Sequence, residues 1–545
     1  MSDSPYTIII GLEVHVQLLT ESKMFCGCST KFGAPPNTQT CPVCIGMPGS
    51  LPVMNRKAFE LSLKTAVALN CEIPRFTKWD RKNYYYPDLP KGYQISQFDL
   101  PLSHDGWLEI ETKERADSPA THPHPNPLSK GEGTVATRRI GIIRAHLEED
   151  AGKSMHDEGG KGAKGDSPLL CAAPGTDQRL VGPFRQMGTV PFSTSGKADS
   201  RIDLNRAGTP LLEIVSQPDL RSPAEAKAYL TELKLLLNYL GVSDCNMQEG
   251  SLRVDANVNL HIHDAEGIIA TPIVEVKNMN SFRAVERALA FEAERQWRQW
   301  QETGHKLGDV PKSTRGWDEA SQTTRPQRSK EESSDYRYFP DPDLVPVTVT
   351  EEEVQRVRAS LGELPAALRT RLQETYGITP YDSDVLVNQG RALVDYYIEV
   401  ADGCGDGKAA GNWIQQDVLR WLNERQVDVG RYPVRPNALA ELIGRVRDGA
   451  FDTSRGREVL GVMVASGKSL AEAVESLGIR QLDDSAVVKL CRELLEANPK
   501  IAAEVKEGKL KGLGALIGQA KKKNPNVNPN RVRELCLEMI QRDEG

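Results

Sequence analysis

The chain lacks the features that mark several classes of protein. Among its 545 residues, no apolar run approaches the ~20 residues that a membrane-spanning helix needs, so no membrane role is expected. No secretory apolar segment opens the sequence, and we therefore expect a cytoplasmic protein whose thiols stay reduced. Neither a P-loop nor a protein-kinase glycine-rich loop occurs, so any nucleotide site must have another design. The formal net charge of -7 does not indicate a strongly basic nucleic-acid binder.

The segment from Ile8 to Leu18 places an acid and an imidazole inside an apolar strand pattern. Its period of two predicts a strand with one apolar face. Glu13, His15 and Gln17 project from the opposite face. A carboxylate and an imidazole two residues apart can both turn toward one divalent cation. The alternative is a polar, solvated sheet face with a satisfied histidine.

Two further acidic segments favour the cation. Glu148, Glu149 and Asp150 are consecutive, and such a run is either a solvated turn or a set of ligands whose repulsion a hard cation relieves. Glu213 lies alone in an apolar run that otherwise indicates a buried strand. A buried carboxylate must be neutralised, paired with a base such as Arg206, or bound to a metal.

Four cysteines predict a second metal site. Cys26 and Cys28 form a C-x-C pair, and Cys41 and Cys44 form a C-x2-C pair farther along the chain. Four thiolates in two close pairs are typical of a tetrahedral zinc cage. Disulfides and free or redox-active thiols are the alternatives, and the first is disfavoured in a reducing compartment.

Seven long motifs, in this order, resemble the GatB family of tRNA-dependent amidotransferase subunits. The resemblance runs from about residue 6 to the C-terminus. The motifs are Gly-Leu-Glu-Val-His-Val (11 to 16), Arg-Lys-Asn-Tyr-Tyr-Tyr-Pro-Asp (81 to 88), Tyr-Gln-Ile-Ser-Gln (93 to 97), His-Leu-Glu-Glu-Asp-Ala-Gly-Lys (146 to 153), Asp-Leu-Asn-Arg-Ala-Gly-Thr-Pro-Leu-Leu-Glu (203 to 213), Glu-Gly-Ser-Leu-Arg (249 to 253) and Asp-Tyr-Arg-Tyr-Phe-Pro-Asp-Pro-Asp (335 to 343).

The resemblance implies a ligase that uses ATP. Members of this family phosphorylate the side-chain carboxylate of Glu-tRNA(Gln), Asp-tRNA(Asn) or both, and ammonia then displaces the phosphate. The ammonia comes from an amidase-type glutaminase partner, GatA, through a tunnel, and a small protein, GatC, clamps the pair. The sequence leaves open which misacylated tRNA is the substrate. Phosphoryl transfer depends on positioning and on cations that neutralise charge, which explains the acidic and imidazole groups.

The resemblance also implies roles for individual residues. Mapped onto the family's motifs, the Mg2+ ligands are Glu13, His15, Glu149 and Glu213. Simple strand alternation would instead place Glu148 beside His146, so the choice of Glu149 depends on the resemblance. Residues that match the family's cavity are Lys82, Tyr84, Tyr86, Asp88, Lys277 and Asn278. All of these except Asp88 are expected to contact ATP, and Lys82 and Lys277 are also expected to take part in catalysis.

Each of the two lysines, Lys82 and Lys277, has a plainer alternative as a solvated surface amine. The cysteine-bound Zn2+ is expected to be a structural staple, because some family members lack these cysteines. Two other function classes stay open. A zinc hydrolase would need a metal with an open coordination position, and an RNA-binding adaptor would need only the basic tail.

The predicted fold class is α+β. The family implies a cradle domain around a mainly antiparallel sheet over residues 1–300, a partly helical connection over 301–395, and a helical region with a YqeY-like tail over 396–545. One helix is predicted from Pro223 to Leu240, with Ser222 as N-cap and Glu225 completing a capping box. Gly- and Pro-rich stretches at 116–137 and 155–200 depart from the family and are expected to be surface loops.

The end of the chain is its basic part. A helix beginning at Pro529 is predicted to place Val532, Leu535, Cys536 and Met539 on one face. Just before it, several lysines are candidates for contacts with the phosphates at the outer corner of tRNA. A helix end solvated by lysines is the alternative. The candidate lysines are Lys509, Lys511, Lys521, Lys522 and Lys523.

Overall fold

The computed structural model describes residues 4–113, 135–156, 200–265, 267–327, 336–479, 484–506, 512–524, 527 and 529–542. The chain forms two compact units, Met1–Gly362 and Glu363–Gly545. The predicted divisions near residues 300 and 395 stay predictions. Most residues of the two predicted inserts lie outside the described residues. Among them are His122, His124 and Cys171.

The first unit is mixed α/β, as predicted. Its strands are β1 (Tyr6–Gln17), β2 (Phe76–Thr77), β3 (Asp80–Asn83), β4 (Tyr93–Ser96), β5 (Ser103–Lys113), β6 (Val135–Glu149), β7 (Lys153–His156), β8 (Ser200–Asp203), β9 (Pro210–Ser216), β10 (Leu252–Asp264), β11 (Gly267–Ala270), β12 (Val274–Lys277), β13 (Ser313–Asp318), β14 (Thr323–Pro326), β15 (Phe339–Pro340) and β16 (Val347–Thr348). Its helices are α1 (Arg56–Ala68), α2 (Pro223–Tyr239), α3 (Phe282–Thr303) and α4 (Glu351–Ser360).

A nine-stranded sheet organises the described part of this unit. Its order is β14-β13-β12-β10-β1-β9-β6-β5, with β11 paired to β10. The pairing of β12 with β13 is parallel, and the other described pairs are antiparallel, which confirms the mainly antiparallel sheet. A smaller sheet, β15-β3-β4, brings the 335–343 motif beside residues 80–83.

The alternation predicted for β1 is confirmed. Ile10, Leu12, Val14 and Val16 are buried, and the residues between them are half-buried. On the apolar side, α3 packs through Ala293, Trp297 and Trp300 against Leu260 and Ile262 of β10 and against Tyr6 and Ile8 of β1. One face of the sheet is therefore covered by helix, which leaves the other face for polar side chains.

Helix α2 confirms most of the local prediction. Ser222 is the N-cap and accepts a hydrogen bond from the Glu225 amide, and the helix ends at Tyr239 before Gly241, whose φ is +65°. The capping box is not completed as predicted. The Glu225 carboxylate accepts from the Arg221 amide at 2.7 Å and from the Arg138 guanidinium at 2.8 Å. The competing arginine explains why the side chain does not turn back to the N-cap amide.

The second unit is helical, as predicted. Its core includes the predicted face of the last helix, where Val532, Leu535 and Cys536 are buried and Met539 packs against them. The helices are α5 (Pro365–Tyr376), α6 (Pro380–Val387), α7 (Arg391–Cys404), α8 (Gly407–Trp413), α9 (Leu419–Arg425), α10 (Pro436–Arg447), α11 (Thr453–Ser466), α12 (Leu470–Ser476), α13 (Asp484–Ala497), α14 (Pro499–Lys506), α15 (Gly512–Lys523) and α16 (Pro529–Arg542). Among the described residues of both units, no helix combines the length and apolar character needed to cross a bilayer.

Candidate functional site

Strand register brings histidine and carboxylate groups together on the uncovered face of the large sheet. His15 of β1 and His146 of β6 both lie opposite Glu213 of β9, which runs between those strands. His15 Nε2 lies 3.5 Å from Glu148 Oε1 and 3.7 Å from Glu213 Oε2. His15, Glu148 and Glu213 each offer a ligand atom within 4.8 Å of the others. Oxygen and imidazole donors at this spacing can hold one divalent cation.

The three consecutive acids have different partners, and all three are buried. The solvated turn considered for this run is therefore wrong. Glu148 faces the histidine cluster, whereas Glu149 projects from the opposite face of β6, where it contacts Lys91 and accepts from the Ile95 amide at 3.1 Å. The structure does not bring Glu149 to the predicted magnesium ligands. Strand alternation, rather than the family motif, indicated the acid that lies there.

Asp150 also has cationic partners. Its carboxylate lies 2.8 Å from Arg253 Nη2 and 3.2 Å from Arg206 Nε. Arg206, considered as a partner for Glu213, is thus paired with Asp150 and with backbone carbonyls of residues 151 and 152. Glu213 contacts the two histidines instead, and His146 Nε2 lies 3.3 Å from its carboxylate.

The carboxylates in the cluster titrate differently. Burial, and then the neighbouring Glu213, raises the pKa of Glu148. Burial also opposes ionisation of Glu213, but His146, His15 and Lys82 more than offset it and lower its pKa. Burial lowers the pKa of His146 to about 4, so this imidazole is neutral at pH 7. Two carboxylates that repel each other form a site whose charge a cation would complement.

Glu13 belongs to an adjoining acidic group. A ligand atom of Glu13 lies within 4.8 Å of those of Asp255 and Glu275. Lys277 contacts Asp255, and its Nζ lies 3.4 Å from Glu275. Glu13 also accepts from Asn257 Nδ2 at 2.8 Å. The predicted ligand Glu13 lines the same cavity as His15. The acids next to Glu13 form ion pairs with Lys277.

The cavity above the cluster is polar and about 390 Å³ in volume. A second cavity, of about 160 Å³, shares Glu13, Lys82, Glu148 and Glu213 with it. Tyr84, Lys277 and Asn278 line the larger cavity, so most of the predicted cavity residues meet there. Tyr86 does not line it. Its ring is half-exposed and lies 5.8 Å, edge-on, from that of Tyr84.

Lys82 lies between the two cavities in an aromatic environment. Its Nζ is 4.9 Å from the ring centre of Tyr336 and 5.8 Å from that of Tyr84. Burial lowers the pKa of this amine, but Glu148, Glu213 and neighbouring tyrosines outweigh burial and raise it. Lys82 is therefore a charged group directed at the cluster, and the solvated surface amine is excluded for it.

Sequence reasoning missed several of the cavity residues. His146 and Arg253 lie inside motifs shared with the family, and alternation along β6 and β10 from those residues would have found Arg144 and Asp255. Tyr338 also lies inside a shared motif, and pairing of β15 with β3 places that motif beside the site. Glu275 reaches the site through pairing of β12 with β10, for which a single sequence carries no signal.

The four predicted cysteine ligands meet at a separate place in the first unit. The sulfur atoms of Cys26, Cys28, Cys41 and Cys44 lie within 4.8 Å of one another. A hydrogen bond from Cys26, and more weakly the charge of Lys23, lowers the pKa of Cys44. Four sulfur donors at this spacing fit a tetrahedral Zn2+ site without an open position.

The cysteine cluster lies near Glu149, at the end of β6. Gly208, with a φ of +83°, passes between them, and a Cβ there would lie 3.4 Å from Cys44 Cβ and 3.6 Å from Glu149 Oε1. Its carbonyl accepts from the Met24 amide and its amide donates to the Asp150 carbonyl, both at 2.8 Å. The loop that holds the cysteines is thereby joined to the end of β6.

The candidate tRNA lysines lie partly outside the described residues, which exclude Lys509 and Lys511. Lys521, Lys522 and Lys523 form the last turn of α15. Lys521 Nζ lies 2.5 Å from Asp452 and Lys523 Nζ lies 3.5 Å from Glu493. Lys522 is exposed. Two of the three described lysines therefore already have carboxylate partners.

Comparison with known proteins gives the family. A family model described as the GatB/GatE catalytic domain matches residues 8–171 and 185–355, and one described as the GatB domain matches residues 395–540. The B subunit of the aspartyl/glutamyl-tRNA(Asn/Gln) amidotransferase from Rhodopirellula baltica is 55% identical over 98% of this chain and 97% of its own length. Proteins of the same name from Moorella thermoacetica and Thermodesulfovibrio yellowstonii are 44% and 42% identical, over 98% of this chain and 100% and 99% of their own lengths. The chain therefore belongs to the GatB family of amidotransferase subunits.

Proposed function

We propose that the first unit activates the side-chain carboxylate of an amino acid misattached to tRNA. The substrate is Glu-tRNA(Gln), Asp-tRNA(Asn) or both, and the products are Gln-tRNA(Gln) and Asn-tRNA(Asn). The observation that carries the proposal is the meeting of His15, Glu148 and Glu213, from three separate strands, in one cavity with two lysines. Both substrates agree with the name that the similar proteins carry.

The reaction consists of two substitutions, the first at the γ-phosphorus of ATP and the second at the acyl carbon. A side-chain carboxylate oxygen attacks the γ-phosphorus of ATP, and ADP leaves with the electrons of the broken P–O bond. The resulting acyl phosphate has a good leaving group, unlike the carboxylate. Ammonia then attacks the acyl carbon, loses a proton and expels inorganic phosphate. Ammonia would come from glutamine through an amidase-type partner, GatA, held by the small protein GatC.

The proposed Mg2+ site differs from the family mapping in one ligand. His15, Glu148 and Glu213 would hold the ion, with Glu13 at its edge, and bound Mg2+ would neutralise charge on the phosphates. The buried, mutually repelling carboxylates fit such an ion. Lys82, directed at this cluster, would meet transferring phosphate as a point charge. Lys277 is held by Asp255 and Glu275, and it would reach phosphate only by leaving them.

The proposed cofactors also include Zn2+ on the four cysteines, as a structural metal. The closed arrangement of four sulfurs lacks the open position that a zinc hydrolase needs. An RNA-binding adaptor would not need a polar cavity with buried acids. The proposed compartment is the cytoplasm, where thiols stay reduced.

The test combines the full chain with its amidase and clamp partners, ATP, Mg2+, glutamine and each misacylated tRNA. Mass analysis of the aminoacyl group should show the amide on at least one tRNA, and omitting glutamine and ammonia should leave the acyl phosphate with release of ADP. Replacing Glu213 by Gln should abolish both, whereas the exposed Glu424→Gln should change neither. Amide formation without ATP consumption would disprove the proposal.

A further inference from the structure

Lys23 is a fully buried lysine beside the cysteine cluster. Its side chain has 0% relative exposure, which is rare for this residue type. The ammonium donates to the Gln39 carbonyl at 2.7 Å and to the Leu204 carbonyl at 3.4 Å, and it lies 3.6 Å from Cys44 Sγ. Within the described part of the chain, no carboxylate forms an ion pair with it.

A buried ammonium bonded to two neutral carbonyls and one cysteine sulfur is costly unless the sulfur cluster carries negative charge. Hydrogen bonds satisfy its donors, but the charge still needs an anion nearby in a medium of low polarity. A divalent ion bound by four thiolates has the complementary property, because four negative charges and two positive ones leave an excess negative charge. Among the four proposed ligands, Cys44 contacts Lys23, so the excess negative charge would act on the lysine through this sulfur.

We propose that Lys23 is the buried countercharge of the cysteine-bound metal. It contacts a ligand sulfur, the Gln39 carbonyl in the loop between the two cysteine pairs, and Leu204 in the loop that leads to β9. By these contacts Lys23 also fastens the metal loop to the strand that carries Glu213. The inference depends on the proposed structural metal but not on the proposed reaction.

The role has consequences of different size with and without metal. With metal bound, the lysine and the anionic cluster attract each other, so removing the positive charge weakens metal binding. Without metal the cluster carries less negative charge, so the lysine contributes less to stability than it does beside the metal-bound cluster. An uncharged side chain at position 23 should therefore destabilise the metal-free chain less than it destabilises the metal-bound chain.

The experiment measures the affinity of the full chain for Zn2+ by competition with a chromophoric chelator. Lys23→Met removes charge and hydrogen bonds, and Lys23→Gln removes charge but keeps a donor for the Gln39 carbonyl. The matched control is Lys64→Met, because Lys64 is a half-buried lysine that also donates to a carbonyl, that of Leu240 at 2.8 Å. Both Lys23 variants should bind Zn2+ about 10-fold or more weakly, the range seen for groups that support metal ligands. The control should bind like the unmodified chain.

Urea unfolding of the metal-free proteins gives the second measurement. Metal-free Lys23 variants that stay folded, with a loss of stability smaller than their loss of Zn2+ binding free energy, support the countercharge. Unchanged Zn2+ affinity in Lys23→Gln would overturn it, because hydrogen bonding alone would then explain the lysine. Failure of both variants to fold would also overturn it, since the fold rather than the metal would need the charge. An unmodified chain that binds no Zn2+ would refute the metal site itself.

Discussion

Two neighbouring acids show how strongly one strand position decides the role of a residue. Glu148 and Glu149 are chemically identical and both buried. One faces His15 and Glu213 across the sheet, and the other contacts Lys91 on the opposite face. A proposed metal ligand and an ion-pair partner are thereby adjacent in the sequence, because successive side chains of a strand point to opposite faces.

The pair allows a matched test of the magnesium ligands. Glu148→Gln removes one anionic donor from the His15 cluster, so phosphorylation should require about 10-fold or more Mg2+ for half of its maximal rate. Glu149→Gln removes a charge at nearly the same position in the chain and should leave the Mg2+ requirement close to that of the unmodified protein. ADP release measured across a Mg2+ titration, with both variants in the reconstituted enzyme, gives the comparison. A higher Mg2+ requirement for Glu149→Gln alone would restore the ligand implied by the family.

At the scale of the element, the two short strands that flank the second insert, β7 and β8, pair with each other. Lys153 to His156 of β7 pair with Asp203 to Ser200 of β8, so residue 156 lies directly opposite residue 200. The residues that flank the insert must lie close together, because the insert separates the acids of β6 from Glu213 in the sequence and yet β6 pairs with β9. The strand pair places His156 and Ser200 at the distance that a short hairpin turn can span.

The insert should therefore be dispensable for catalysis. Replacing residues 157–199 by an Asn-Gly turn joins β7 to β8 in a two-residue hairpin and leaves every described cavity residue in place. We expect kcat/KM for amidation within about threefold of the full chain, which corresponds to less than ~0.7 kcal/mol. The measurement is the steady-state rate in the reconstituted enzyme, with circular dichroism as the check on folding. A folded variant without activity would show that the insert takes part in the reaction.

Local pattern predicted elements well and their partners poorly. The period of β1, the N-cap of α2 and the apolar face of α16 follow from short stretches of sequence, and each is present. The family motif indicates Glu149, whereas the alternation indicates Glu148, and the structure follows the alternation beyond an irregularity between Ile142 and Arg144. The Arg206–Asp150 pair depends on a loop between strands, where residue spacing carries little information about contacts.

Assembly of the candidate site required information that no single segment holds. Its groups come from β1, β3, β6, β9, β10 and β12. The pairing of β1 with β9 and with β10 spans more than a hundred residues, whereas β6 with β9 and β10 with β12 pair over shorter separations. The family motifs supplied that knowledge indirectly, by naming which segments belong together. The buried Lys23 had no such signal, because a lysine in a sequence indicates exposure by default.

At the scale of the whole molecule, the two units carry different chemistry. The first unit holds the acidic cavity and the cysteine cluster, whereas the second is helical and ends in a basic segment. The net charge of -7 conceals this difference. If the second unit contacts tRNA, its lysines should act through phosphate groups, which makes their contribution sensitive to salt and independent of base sequence.

The last turn of α15 distinguishes lysines that are available from those already paired. Lys522 is exposed, whereas Lys521 contacts Asp452 and must lose that partner before it meets a phosphate. Lys522→Ala should therefore weaken tRNA binding and reduce the slope of log K against log salt by about 1. Lys521→Ala should change binding less and lower the free energy of unfolding, because Asp452 is left unpaired. The exposed Lys468→Ala, in the same unit, serves as the control and should change neither quantity. Filter binding across a salt series with misacylated tRNA measures the slope, and an unchanged slope for Lys522→Ala would assign this helix end to solvation.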